Sequence, residues 1–197
     1  MYPCHNKIIL HLIKEGEVGD VHIQKSEFRK QAGLGYSSVH TTDNTQESNA
    51  LARIVLSKPG LHYINFANYS RFNFRQKAQS IRDSLVYYDI NSEHVLFTGS
   101  IILEAYGLRQ SNDLDYFSLN NLPRYFGPSH DSQLKFYPSS KLDLIYSPDN
   151  YFWFEGIKII SLSVLKKMKE NRGENKDTHD LYLIKQVLEH QSKKDYL

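Results

Sequence analysis

Asp113 and Asp115 stand one residue apart in "NDLDYFSL". Residues two apart on an extended chain face the same side. A strand over "DLDYFSL" therefore aims both carboxylates one way and sets Leu114 and Tyr116 on the other. Like charges side by side repel, so a positive partner belongs between them. Mg²⁺ or Mn²⁺ fits, being a hard cation that takes oxygen ligands and shares substrate phosphates. A solvated edge strand with two surface acids explains the pair as well. Upstream, Gly99-Ser100 follows the apolar run "HVLFT" and opens "SIILEAYG". A helix start offers unpaired N–H groups to phosphate, and glycine lets the backbone approach it closely. Taken alone, a plain strand-to-helix turn with Ser100 as N-cap explains this pair better. A third carboxylate, Asp143, sits in "KLDLIY", which alternates like a strand with Leu142 and Leu144 on one face and Asp143 on the other. If that strand lies beside Asp113 and Asp115, three carboxylates converge. Such a trio holds two metals about 3.5–4 Å apart and activates an oxygen for in-line displacement. The alternative for Asp143 is an exposed strand position.

The elements that must position these residues are read from periodicity and punctuation. "HVLFT" and "LDYFSL" predict strands, and "SIILEAYG" predicts a short helix closed by Gly107. "LKFYP" and "KLDLIYS" predict two strands joined by a tight turn at Pro138-Ser139-Ser140. "IKII" predicts a strand, "SLSVLKKMKEN" a helix capped by Ser161, and "DTHDLYLIKQVLEHQ" a last helix. In the first half, "NKIILHLI" suits a strand or a short helix, and "HIQKSEFRKQAGLGYSSVH" reads as helix then turn. "TTDNTQESNALARIVLSK" carries Ala50, Leu51, Ile54 and Val55 at helical spacing, with Asp43 as N-cap and Gln46 three residues on. Lys58-Pro59-Gly60 stops that helix, and "LHYINF" alternates like a strand. Ala78, Ile81, Leu85 and Tyr88 form one stripe of a helix from Asn73 to Tyr88. The fold class that follows is α+β, with a mixed sheet flanked by helices. Residues 1–92 form a mostly helical N-terminal segment, and residues 93–197 form the domain that carries the chemistry.

The order of these pieces resembles the nucleotidyltransferase superfamily of the DNA polymerase beta type. Gly-Ser, twelve intervening residues and Asp-hydrophobic-Asp-hydrophobic is its pattern. "GLRQSNDLDYF" is similar to the Arg-x-Ser-x-Asp-hydrophobic-Asp form of its small bacterial members, and Asp143 matches the third carboxylate. The tail resembles the minimal and toxin-like members: Ser161, Leu162, Leu165 and Lys169 fit one motif, and Lys176, Asp177, Asp180 and Leu181 fit the next. The resemblance runs from Val95 to Leu188. It implies transfer of a nucleoside monophosphate from an NTP to an acceptor, which is a small molecule, an RNA or a protein. It implies Mg²⁺ or Mn²⁺ on Asp113, Asp115 and Asp143, with Asp143 also serving as base. It implies a triphosphate held by Gly99, Ser100, Arg109, Ser111 and Lys169. It also admits a homo-oligomer or an antitoxin-like partner. The other reading is a non-catalytic nucleotide-sensing or partner-binding protein on the same fold.

Several residues admit plainer explanations. Lys169 shares its helix with Lys166 and Lys167 and suits a solvated face as well as a phosphate. Lys176, Asp177 and Asp180 suit either a salt-bridged cluster that positions Lys169 or the cap and first turn of the last helix. Arg109 reaches a phosphate or braces its turn. Trp153 in "NYFWFEG" is better explained by packing than by base stacking. Gly33 and Gly35 lack the rest of any phosphate-loop pattern.

Composition sets the outer bounds. There are 24 Lys plus Arg against 22 Asp plus Glu, a net charge of +2. That balance argues against a dedicated DNA binder. The one cysteine, Cys4, excludes an internal disulfide. Nine histidines show no zinc-ligand spacing. The apolar run near the N-terminus is too short for a membrane span, and the expected location is cytoplasmic.

Overall fold

The computed structural model describes residues 21–33, 41–42 and 44–194. Two compact units divide the chain, Met1–Ser48 and Asn49–Leu197. The first contains helix α1 (Val21–Ala32). Helix α2 (Thr45–Val55) begins at its end. The amide of Glu47 is capped there by the Asn44 side chain at 2.8 Å. Asp43, expected as this cap, and "NKIILHLI" lie outside the described residues.

The second unit is an α+β fold around a four-stranded mixed sheet. Its strands are β1 (Val95–Thr98), β2 (Asp115–Ser118), β3 (Tyr151–Phe154) and β4 (Ile157–Ile160), in the order β2-β1-β4-β3. β1 pairs antiparallel with β2 and parallel with β4, and β3 pairs antiparallel with β4. The central strands β1 and β4 are buried at every position, as befits strands covered on both faces. Glu155 and Gly156 join β3 to β4 with φ of 48° and 82°. Two positive φ values are what a tight two-residue hairpin demands.

Helix α3 (Lys58–Phe66) and helix α4 (Phe74–Tyr87) precede the sheet. Ala78, Ile81 and Leu85 of α4 enter the core as periodicity predicted, with Phe74 beside them, whereas Tyr88, expected on the same stripe, is the exposed C-cap. Tyr63 of α3 stacks on Phe152 with ring centroids 4.3 Å apart. The boundary expected near Ser92 thus falls inside the unit that holds the sheet. Helix α5 (Ile101–Ala105) follows β1, and helix α6 (Lys141–Tyr146) precedes β3. Helices α7 (Leu162–Arg172) and α8 (Asp177–Lys194) end the described chain. No helix among the described residues is long and apolar enough to cross a membrane.

Three predicted strands are helical. "LHYINF" belongs to α3, because Ser57 accepts from the Gly60 amide at 3.0 Å and Pro59 sits in the first turn; proline there is pre-set for a helix start. Lys58-Pro59-Gly60 thus ends one helix by starting another. "LKFYP" is mostly 3₁₀ turn, within His130–Phe136. "KLDLIY" is α6, whose N-cap Ser140 accepts from the Asp143 amide. Its leucine alternation also fits a one-turn helix with only Leu144 and Ile145 buried.

Candidate active site

The site grows from the end of β1. Thr98 is fully buried, and its hydroxyl lies 2.6 Å from that of Tyr137. Its register partner across the sheet is Asp115. The chain then turns at Gly99, with φ of +70°. A Cβ on Gly99 would stand 2.0 Å from Oδ2 of Asp115, 2.9 Å from its Cγ and 3.0 Å from its Cβ. Glycine is therefore required twice, for its left-handed backbone and for the space that the carboxylate fills. The next residue, Ser100, donates its hydroxyl to Oδ1 of Asp113 at 2.8 Å. Consecutive residues of one turn thus meet both aspartates, and the structure brings Gly99, Ser100, Asp113 and Asp115 together. Asp115 opens β2 and is partly buried. Asp113 lies two residues before it, exposed and outside the strand. No strand runs through both residues: Asp113 is held by the Ser100 bond and Asp115 by its place at the start of β2.

Asp143 is placed differently from the expectation. It sits in the first turn of α6, exposed, and accepts from the Ser140 hydroxyl at 2.6 Å. The serine and aspartate cap each other around the helix start, which is what a carboxylate does there for local stability. β2 is an edge strand whose one neighbour is β1, so no strand from "KLDLIY" lies beside Asp113 and Asp115. Among the described residues no three His, Cys, Asp or Glu side chains cluster so as to hold a metal ion. The strand expected to carry Asp143 is thus corrected to a helix, and the described residues do not show the three carboxylates as one cluster. The pair still fits a hard cation chemically. Both side chains offer oxygen, the donor that a hard cation takes.

The cations expected to meet phosphate are engaged elsewhere. Arg109 grips Asp180 with two nitrogens, at 2.6 and 2.8 Å. That bond, and secondarily the field of Asp180 and Asp113, raises its pKa further. Lys169 is buried, with Nζ 2.7 Å from Asp177 and 2.8 Å from Asp180. Arg172 adds two bonds to Asp177, at 2.9 and 2.6 Å. Burial alone would raise the pKa of both aspartates, but the bonds from Arg172, Arg109 and Lys169 outweigh it and hold them below the ordinary carboxylate range. The network ties the loop before Asp113 to α7 and α8. Lys176 meets neither aspartate of it and lies 2.7 Å from Glu174, which is itself 3.7 Å from Arg172. Ser111 is buried against Glu104 and Lys77 rather than turned to an open approach. Trp153 packs in β3, at the opposite edge of the sheet from β2, with Arg53 over its ring at 4.8 Å.

His130 was not among the residues read from sequence. Its Nδ1 lies 3.1 Å from Oδ1 of Asp115, and its ring packs edge-on against Phe117 and Tyr137. A lone histidine in the turn-rich "NNLPRYFGPSHDSQ" carries no spacing signal that would have found it. Glu104 and Lys77 were missed as well, since a single acid in a short apolar helix has no motif. No protein-family model, no curated protein and no solved structure matches the chain.

Proposed function

We propose that this protein is a metal-dependent nucleotidyltransferase that moves a nucleoside monophosphate from an NTP to an acceptor. The observation that carries the reading is the fit of the Gly99-Ser100 turn against the Asp113 and Asp115 carboxylates. The residues that the sequence pattern pairs across twelve intervening positions are in contact, and in a way that only glycine permits at position 99. A solvated edge strand gives no reason for a carboxylate to occupy the space of a Cβ.

In this reading Asp113 and Asp115 hold Mg²⁺ or Mn²⁺, which supplies charge neutralisation and a template for the triphosphate. Glycine at position 99 leaves room for the Asp115 carboxylate to lie against the turn that the phosphates would pass. Ser100 keeps the Asp113 carboxylate turned toward that path. Arg109, Lys169, Asp177 and Asp180 act as a brace that fixes the loop in front of Asp113. The chain's contribution is mostly positioning, as is general for phosphoryl-type transfer. With Asp143 capping α6, no base on this chain is assigned to the acceptor hydroxyl.

The test is pyrophosphate release from each of the four NTPs with Mg²⁺ or Mn²⁺, with mass analysis of molecules that co-purify as acceptors. Metal-dependent release that stops in Asp115→Asn is the expected result. NTP binding without any turnover across acceptor classes would instead favour a nucleotide sensor on the same fold.

A further inference from the structure

Glu104 is a buried carboxylate that the proposed reaction does not use. It lies four residues after Ser100, so the two share one face of α5. Ser100 holds Asp113, and Glu104 holds Ser111, two residues earlier in the same loop. The Ser111 amide donates to Oε2 of Glu104 at 3.0 Å, and the Ser111 hydroxyl donates to the same oxygen. Lys77, from α4, completes the cluster. Its Nζ donates to Oε2 of Glu104, to Oγ of Ser111 at 2.8 Å and to the Ser111 carbonyl at 3.2 Å. Every polar group of Ser111 is thereby committed. Glu104 is 3% exposed, and a buried charge is tolerated only with a partner and satisfied lone pairs. Burial pushes its pKa up, yet the bonds from Lys77 and Ser111 outweigh this and hold it down.

We propose that Lys77 and Glu104 are positioning residues for Asp113: helix α4 reaches past α5 to fix Ser111, and so fixes the Asp113 carboxylate for the metal–triphosphate complex. This inference rests on the nucleotidyltransferase reading. It gives α4 a place in the site, although the sequence pattern from Val95 to Leu188 lies wholly after it in the chain. A network that merely stabilised the fold would affect melting alone. A positioning network also sets how well the site holds a metal.

The test uses the full chain and four variants: Lys77→Met, Glu104→Gln, the double variant and Ser111→Ala. Mn²⁺ affinity in the presence of ATP is measured by electron paramagnetic resonance, beside the melting temperature and the kcat and KM of pyrophosphate release. Removing a direct partner of a metal-ligating group costs about 10–100-fold in metal affinity. Lys77 and Glu104 act one bond further out, through Ser111, so a loss at the low end of that range, about 10-fold, with a fall in kcat, is expected for each charge variant. The double variant should lose less than the product of the two singles, because Gln still accepts from the Ser111 amide and no unpaired charge remains. Ser111→Ala removes only a hydroxyl and keeps the test open if a charge variant does not fold. Its affinity loss should be smaller, with a fall of a few degrees in melting temperature from the lost bonds to Lys77 and Glu104. Parent-like Mn²⁺ affinity in folded Lys77→Met and Ser111→Ala overturns the inference alone. A parent that takes up no Mn²⁺ with ATP overturns the nucleotidyltransferase reading, and this inference with it.

Discussion

Gly99→Ala perturbs the site at its narrowest point. An alanine there inherits φ of +70°, and the left-handed region costs an L-residue about 1–2 kcal/mol. Its methyl also meets Asp115 at 2.0, 2.9 and 3.0 Å through Oδ2, Cγ and Cβ. Turning the carboxylate about its own axis relieves only the first of these contacts. The side chain must swing about χ1 or β2 must shift, an overpacking cost of about 1–3 kcal/mol. The sum is roughly 2–5 kcal/mol, or a drop of roughly 5–15 °C in Tm for a domain of this size. That loss leaves most natural domains folded. The assay is thermal melting with and without Mn²⁺ and ATP. At a ligand concentration 100 times Kd, the parent gains about 2.7 kcal/mol, and Gly99→Ala should gain almost nothing. Leu85→Ala, a buried change in α4 that costs about 2–5 kcal/mol, serves as a control matched for stability and should keep the full gain. A Gly99→Ala protein that melts like the parent, or that melts lower yet keeps the parental gain, would refute the reasoning.

The remaining predictions concern the residues whose roles the structure moved. Asp143→Asn should leave pyrophosphate release near the parental rate and lower stability by about 0.5–1 kcal/mol, the scale of a helix cap, measured by urea unfolding. Lys169→Met should act mainly on folding. Breaking a buried ion pair costs roughly 3–5 kcal/mol, and the low end is expected because Arg109 and Arg172 still face Asp180 and Asp177. Acid titration should expose the same network. Asp177 and Asp180 have depressed pKa values in the folded protein, so their contribution is complete above the unfolded carboxylate pKa of about 4. It is lost as the pH falls below that through their folded values. Asp180→Asn should flatten that acid limb of the stability curve, read by circular dichroism at fixed urea.

What was legible in the sequence follows from how local each signal is. β1, β4, α4 and α7 were readable because an all-apolar run, a clean stripe or a serine cap each sits within a few residues. The contact of Gly99 with Asp115 was readable only as a spacing, since its geometry depends on the antiparallel pairing of β1 with β2. "KLDLIY" misled because six residues with leucines at alternate positions suit a strand and a single helical turn equally, and the Ser140–Asp143 cap decided the matter. "LHYINF" misled because Pro59-Gly60 looks like a stop, whereas Ser57 turns it into a start. β3 carries no alternation, since Tyr151 to Phe154 are all aromatic, and such a run suits packing or stacking as well as a strand. His130, Glu104 and Lys77 were out of reach, as each acts through a partner distant in the chain.

The central claim is that Asp113 and Asp115 together hold a divalent cation and the substrate phosphates. Calorimetric titration of Mn²⁺-ATP into the parent and into Asp113→Asn/Asp115→Asn tests it most directly. Both proteins should be folded, because the two asparagines remove a repulsion and retain the side-chain volume. Saturable binding by the parent and none by the double variant are expected. Binding of Mn²⁺-ATP by the double variant with the parental affinity would contradict the claim.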